Sequence, residues 1–262
     1  MIYIHNLYNP TLLSIGFLKI HYYALSYLAG LMLLPYWLNK NYLKDNNLKE
    51  KFSGYAVFSM LIFARIFYVL FYNFDYYKEN PSEIIAIWMG GLSFHGGLVG
   101  VIVGVFLFCR KYKKNPMIVF DNIAIPTSIC LFIGRIMNFV NGELFGRATS
   151  GSWGVVFEKT DPLLIPRHPS QLYESFTEGL LLFLILLIIK KYAKLRNGQL
   201  AAIFLIGYSF FRFIIEFFRE PDEQVGFLFS YLTMGQILCS FMITSGIGLF
   251  FYIKKSPRYE NF

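Results

Sequence analysis

Seven runs of roughly twenty apolar residues dominate the sequence, drawn at about 20–38, 53–74, 92–109, 117–139, 171–189, 199–218 and 231–253. A helix needs about 20 such residues to cross a bilayer. In hydrocarbon its backbone groups must be satisfied within the segment. The runs therefore predict an all-α polytopic membrane protein with seven transmembrane helices, and residues 1–262 read as a single integral membrane domain. Composition agrees, with 56% hydrophobic and only 15% charged residues, where a soluble domain carries about 25% charged. A disordered chain, a coiled coil, a disulfide scaffold and an ordinary soluble enzyme are excluded.

The net charge of +8 has a topological reading. Fifteen of the 24 basic residues fall in alternate connections: Lys40–Lys51 after the first run, Arg110–Lys114 after the third, Lys190–Arg196 after the fifth and Lys254–Arg258 after the seventh. The positive-inside rule makes these cytoplasmic. The N-terminus is then outside and the C-terminus in the cytoplasm, with outward-facing loops near 75–91, 140–170 and 219–230. Orientation accounts for the basic excess, and no nucleic-acid footprint is left over. The first run lacks a basic n-region and a small-residue cleavage motif, so it reads as a retained helix. Cys109, Cys130 and Cys239 are isolated in apolar runs and read as small core residues rather than ligands, nucleophiles or disulfides.

Charges inside the apolar runs carry the functional information, because each costs roughly 2.5–3.5 kcal/mol near the membrane centre. In Tyr208-Ser-Phe-Phe-Arg212-Phe-Ile-Ile-Glu216-Phe-Phe-Arg219 the polar residues recur on one helix face. Either they form a structural ladder, or Glu216 holds Arg212 and Arg219 toward an anion in a cavity. The Pro221-Asp222 pair is expected to end that helix. Arg135 and Asn138 lie one turn apart, and Asn141, Gly142, Glu143, Gly146 and Arg147 follow where glycines break the helix. Arg65 has no acid at i±3 or i±4, and an inter-helix ion pair is the plain expectation for it. Gly96, Gly100 and Gly104 form a stripe that permits close helix contact. His95 stands at its mouth, either as a satisfied helix-end residue or as a proton acceptor suited to neutral pH. Arg167-His168-Pro169-Ser170-Gln171 opens the fifth run, with Pro169 suited to the first helical position. Gln171, Glu174 and Glu178 then share a face, where Glu174 also suits the helix dipole. His5, His21, His95 and His168 show no metal-ligand spacing. With Tyr22 and Tyr23 at the end of the first run, these clusters map to one membrane depth. They predict a cavity with cationic groups for a phosphate and apolar walls for acyl chains.

Four motifs resemble, in order, the bacterial prolipoprotein diacylglyceryl transferase family: His95-Gly96-Gly97-Leu98, Gly134–Arg147, Arg167–Glu174 and Arg212–Asp222. The resemblance spans about residues 14–253. It departs at Met137, where the family usually has glycine, and at Tyr22-Tyr23-Ala24, where it usually has Trp-Tyr-Gly. The resemblance implies an enzyme of the bacterial cytoplasmic (inner) membrane. It would transfer the diacylglyceryl group of phosphatidylglycerol to the lipobox cysteine thiol of preprolipoproteins, releasing glycerol 1-phosphate without cofactor or metal. Its partners would be phosphatidylglycerol, lipobox signal peptides and membrane lipid, with no nucleic acid. In that scheme His95 is general base or proton relay, with an arginine or glutamate of the site as the alternative proton acceptor. Arg135 holds the lipid phosphate, and Asn138 and Glu143 shape the head-group pocket beside Arg147. Arg212 stabilises the leaving phosphate, oriented by Glu216 and Tyr208, and Tyr23 lines the site. The competing reading is a transporter for a phosphate-bearing or other anionic solute, because intramembrane arginines also mark such pathways.

Overall fold

The computed structural model describes residues 3–5, 11–15, 18–21, 30, 32–34, 36–38, 42, 43, 45–87, 90–220, 227, 228 and 232–256, the backbone alone at 11–15, 18–21, 94, 95, 227 and 228. The described chain is mostly helical: α1 Asn46–Phe71, α2 Phe74–Glu79, α3 Phe94–Lys111, α4 Pro116–Asn141, α5 Ser170–Tyr192, α6 Gln199–Ile215 and α7 Met234–Lys255. Residues 30, 32–34 and 36–38 are also helical. Among the described residues, α1, α4, α5 and α7 are long and apolar enough to cross a membrane, while α3 and α6 have 18 and 17 residues. The protein is thus a multi-pass membrane protein.

The all-α expectation needs one correction. Three short strand pairs accompany the helices: β1 Tyr3–His5 with β4 Val155–Phe157 in parallel, β2 Thr11–Ile15 with β3 Leu18–His21, and β5 Phe227–Leu228 with β6 Leu232–Thr233. Strands this short carry too little alternation to stand out beside the apolar runs.

The polarity of the helices is inverted relative to a soluble bundle. Phe58 on α1 and Phe241 on α7 are 69% and 70% exposed, whereas Gln171, Glu174, Glu178 and Ser209 are fully buried. Apolar surface facing outward costs nothing in lipid, and the polar groups turn inward to find partners.

The backbone forms two compact units, residues 34–122 and residues 1–33 with 123–262. In the first, α1 opens on Asp45, whose side chain accepts from the Asn47 N–H, and α3 opens on Ser93, which accepts from the Gly96 N–H. The glycine stripe of α3 lies directly on α1. A Cβ on Gly96, Gly100 or Gly104 would run into the carbonyls of Phe63, Ser59 and Tyr55 respectively. Gly100→Leu is therefore expected to destabilise the protein by about 1–3 kcal/mol through overpacking. Gly54→Ala, where a Cβ meets nothing within 4 Å, should be neutral or better. Thermal unfolding of both variants in detergent checks this, and equal behaviour would refute the contact.

Arg65 departs from the expected inter-helix ion pair. Its guanidinium is buried and donates to four backbone carbonyls: Nε to Ile84 (2.7 Å), Nη1 to Gly90 (2.7 Å) and Gly91 (3.0 Å), and Nη2 to Glu83 (2.7 Å). Gly90 and Gly91 adopt φ of 87° and 76°, a region that favours glycine. The Tyr77 ring lies 5.0 Å from the guanidinium carbon. A carbonyl cage of this kind leaves no acid at helical spacing to betray it.

In the second unit, α6 packs on α5 and α7. The α7 N-terminus carries a reciprocal capping box between Thr233 and Gln236. Helix α6 ends at Ile215, earlier than the expected 218, and Arg219 lies beyond it in a bridge to Gly146. Pro169 stands at the N-cap of α5 rather than at its first helical position. Within α5, Ser175–Leu181 is π-helical. Ser175 Oγ donates to the Phe132 carbonyl of α4 at 3.0 Å, and a Cβ on Gly179 would meet the Phe132 backbone. The wide turn thus seats α5 closely on α4.

Candidate functional site

The close seat of α5 on α4 brings carboxylates to an arginine one helical turn along. Arg135 Nε lies 2.9 Å from Glu174 Oε2, and the other oxygen of Glu174 pairs with Arg212 Nη1 from α6. One buried carboxylate is therefore shared by guanidiniums from two other helices. Glu178 lies beneath it, 3.8 Å from both Arg135 Nη2 and Arg212 Nη1. Glu216 continues the chain, 3.2 Å from Arg212 Nη2 and 3.8 Å from Arg219 Nη1. Its carboxyl packs against Gly235 in the first turn of α7, where the helix dipole favours negative charge. The six groups, three arginines and three glutamates, sum to zero when all are ionised.

Sequence spacing anticipates only part of this cluster. The Arg212–Glu216 pair follows from its i, i+4 register. Glu174 and Glu178 share a face of α5 with Gln171 among the clusters expected around the cavity, but spacing alone gives them no role. Their partners come from α4 and α6, which no single-helix pattern displays.

Around Arg135 the glycine-broken motif folds back on itself. Arg135 Nη1 donates to Asn138 Oδ1 at 3.4 Å. The amides of Asn138 and Asn141 both donate to Glu143 Oε1 at 3.2 Å. Gln171 Nε2 donates to the Glu143 carbonyl at 2.6 Å, tying this loop to the start of α5. Burial pushes the Glu143 carboxyl up to about 7. Tyr208 lies one turn before Arg212 and feels the charges of Glu178, Arg212, Arg135 and Glu174.

Arg147 is placed differently from Arg135 and Arg212. Its Nε donates to the Arg219 carbonyl at 2.9 Å, and its backbone N–H donates to Phe218. It ties the 142–169 loop to the end of α6. Arg167 braces that loop through two bonds to Asp161, of 2.7 and 3.1 Å, and ties it to Glu220 beyond α6 at 3.0 Å. The His5 ring closes the same region between Phe139 and Phe157. Tyr22, Tyr23 and the side chain of His95 lie outside the described residues. The backbone of His95 occupies the first turn of α3.

A groove of about 590 Å³ opens along α5 and α6, lined by Trp153, His168, Tyr173, Phe176, Ile215 and Phe218 among others. Its walls are almost wholly apolar. Among the described residues, no three His, Cys, Asp or Glu side chains gather as metal ligands.

The same unit holds paired guanidiniums, adjacent amides and a carboxyl near neutrality, and an apolar groove lined from α5 and the end of α6. That set fits recognition of an amphiphile with an anionic head. The sequence profile described as Prolipoprotein diacylglyceryl transferase matches residues 10–252. Curated relatives named phosphatidylglycerol–prolipoprotein diacylglyceryl transferase are similar along nearly the whole chain. The Rickettsia felis protein is 46% identical, covering 95% of this chain and 98% of its own. The Azospirillum brasilense protein is 45% identical over 95% and 96%. The Ehrlichia canis protein is 43% identical over 95% and 96%.

Proposed function

The chain belongs to the prolipoprotein diacylglyceryl transferase family, and from that premise we propose how its residues carry out the transfer. It is a transferase of lipoprotein maturation, moving the diacylglyceryl group of phosphatidylglycerol to a preprolipoprotein. The acceptor is the lipobox cysteine thiol. The thiol loses its proton, the sulfur forms a bond to a glycerol carbon, and the carbon–oxygen bond to phosphate breaks. The products are a thioether and glycerol 1-phosphate. The thiolate is the competent nucleophile, and the departing phosphate gathers negative charge that preplaced cations stabilise.

The observation that carries this reading is the junction of Arg135 and Arg212, guanidiniums from two helices that converge on one buried point. Arg135 with Asn138 holds the phosphate, and Glu143 shapes the head-group pocket. Arg212 steadies the leaving oxygen, oriented by Glu216 and Tyr208. Arg147 holds the loop against the end of α6. His95 accepts or relays the thiol proton, and Tyr23 lines the site. The apolar groove along α5 and α6 suits acyl chains. The chain acts as one domain, 1–262, of the bacterial inner membrane, with seven spans, the N-terminus outside and the basic connections in the cytoplasm. The alternative of anion transport is not favoured by the family relationship.

The test is direct. The purified protein is mixed in detergent with phosphatidylglycerol and a lipobox peptide, and the peptide is weighed by mass spectrometry. A diacylglyceryl mass gain is expected, and none with a Cys→Ser peptide. No gain from folded protein would overturn the reading. Arg135→Lys is expected to lower kcat/KM by about 10²-fold, because an ammonium cannot reproduce the planar guanidinium's divided contacts. Wild-type kinetics in that variant would remove Arg135 from phosphate recognition.

A further inference from the structure

The arginines that would receive a phosphate are already occupied. Glu174 is 1% exposed and offers one oxygen to Arg135 and the other to Arg212. Two oxygens on one atom, reaching two guanidiniums, is also how the non-bridging oxygens of a phosphodiester would bind. Glu178 is fully buried beside it, and neither of its oxygens has a hydrogen-bond partner among the described residues. Its two nearest cations stand at 3.8 Å, too far for a hydrogen bond.

We propose that Glu174 holds the place of the lipid phosphate between Arg135 and Arg212, and that phosphatidylglycerol binds together with a proton taken up by the Glu174–Glu178 pair. The proposal rests on the phosphate reading of these arginines given above. Its driving force is charge balance. The groups facing the pair are Arg135 from α4, Tyr208 and Arg212 from α6, Glu216 and Arg219 beyond it, and Cys239 from α7. With arginines and glutamates ionised, this interior is neutral. A phosphodiester adds one negative charge to a region where unpaired charge is costly. Two adjacent carboxylates cannot both remain ionised once a third anion claims their cations. One carboxylate therefore accepts a proton from solvent as the phosphate enters, and Glu178 is placed to share it with the displaced Glu174. Departure of the phosphorylated product returns Glu174 to the arginines and the proton to solvent.

The sign follows from linkage. Binding that takes up a proton weakens as pH rises, by about tenfold in Kd per pH unit where uptake is complete.

The full chain in detergent is titrated calorimetrically with short-chain phosphatidylglycerol at about pH 8, in two buffers of different ionisation enthalpy. The difference in heat counts protons. The wild type is expected to take up close to one proton. Glu174→Gln and Glu178→Gln should each take up almost none and lose the pH dependence of Kd, because each removes one negative charge in advance. The Glu178 variant leaves the Glu174 bridge intact and keeps the test available if the Glu174 variant folds poorly. Wild-type binding and diacylglyceryl transfer without proton uptake would overturn this inference alone. Unchanged uptake in both variants would do the same. Failure of folded protein to bind the lipid at all would overturn the phosphate reading and this inference with it.

Discussion

Replacing Glu174 with alanine is expected to destabilise the protein by roughly 3–5 kcal/mol, more than any other truncation within the arginine cluster. The carboxylate is the common partner of Arg135 and Arg212, whose side chains are only 17% and 12% exposed. Without it, Arg135 keeps only Glu178 at 3.8 Å, while Arg212 keeps Glu216 at 3.2 Å and Glu178 at 3.8 Å. The cost is that of leaving buried charge uncompensated, which exceeds what the intact pair contributes over an apolar substitute. Glu178→Ala should cost less, because its contacts are longer. Unfolding of the two variants in detergent measures the difference. A loss below about 1 kcal/mol for Glu174→Ala would place the cluster among weak surface pairs instead.

His95→Gln is expected to lower kcat for diacylglyceryl transfer by about 10²–10⁴-fold while leaving folding and the KM for phosphatidylglycerol nearly unchanged. Glutamine keeps polarity and approximate size but cannot carry a proton away from the thiol. The position lies in the first turn of α3. Supplying the peptide at higher pH, where more thiol is already ionised, should recover part of the lost rate. Turnover equal to wild type would remove His95 from the proton path.

Where a single helix carried the signal, the sequence was legible. The spacing of Tyr208, Arg212 and Glu216 places them on one face, and the Arg212–Glu216 pair forms at 3.2 Å. The glycine stripe of α3 meets α1 as its period requires. The Arg135–Glu143 motif folds into a connected set because its members are near neighbours in the chain. Contacts that join distant segments were not legible. Glu174 serves arginines that are 39 and 38 positions away in opposite directions along the chain, so its role cannot be read from α5 alone. Arg65 is satisfied by carbonyls, which every residue has and no composition distinguishes. The parallel pairing of Tyr3–His5 with Val155–Phe157 joins segments about 150 residues apart, each too short to show a period.

The π-helical stretch Ser175–Leu181 is also a seam in evolutionary bookkeeping of length. Such a turn holds one residue more than an α-helical path over the same rise. Removing a single residue there would restore regular winding and rotate everything beyond it by about 100° relative to Glu174. Leu182 and Leu186, now fully buried, would turn away, and side chains such as Leu184 and Ile188, now facing outward, would change places with others. A membrane helix tolerates most apolar exchanges along its lipid face. This one would tolerate changes of residue far better than changes of count.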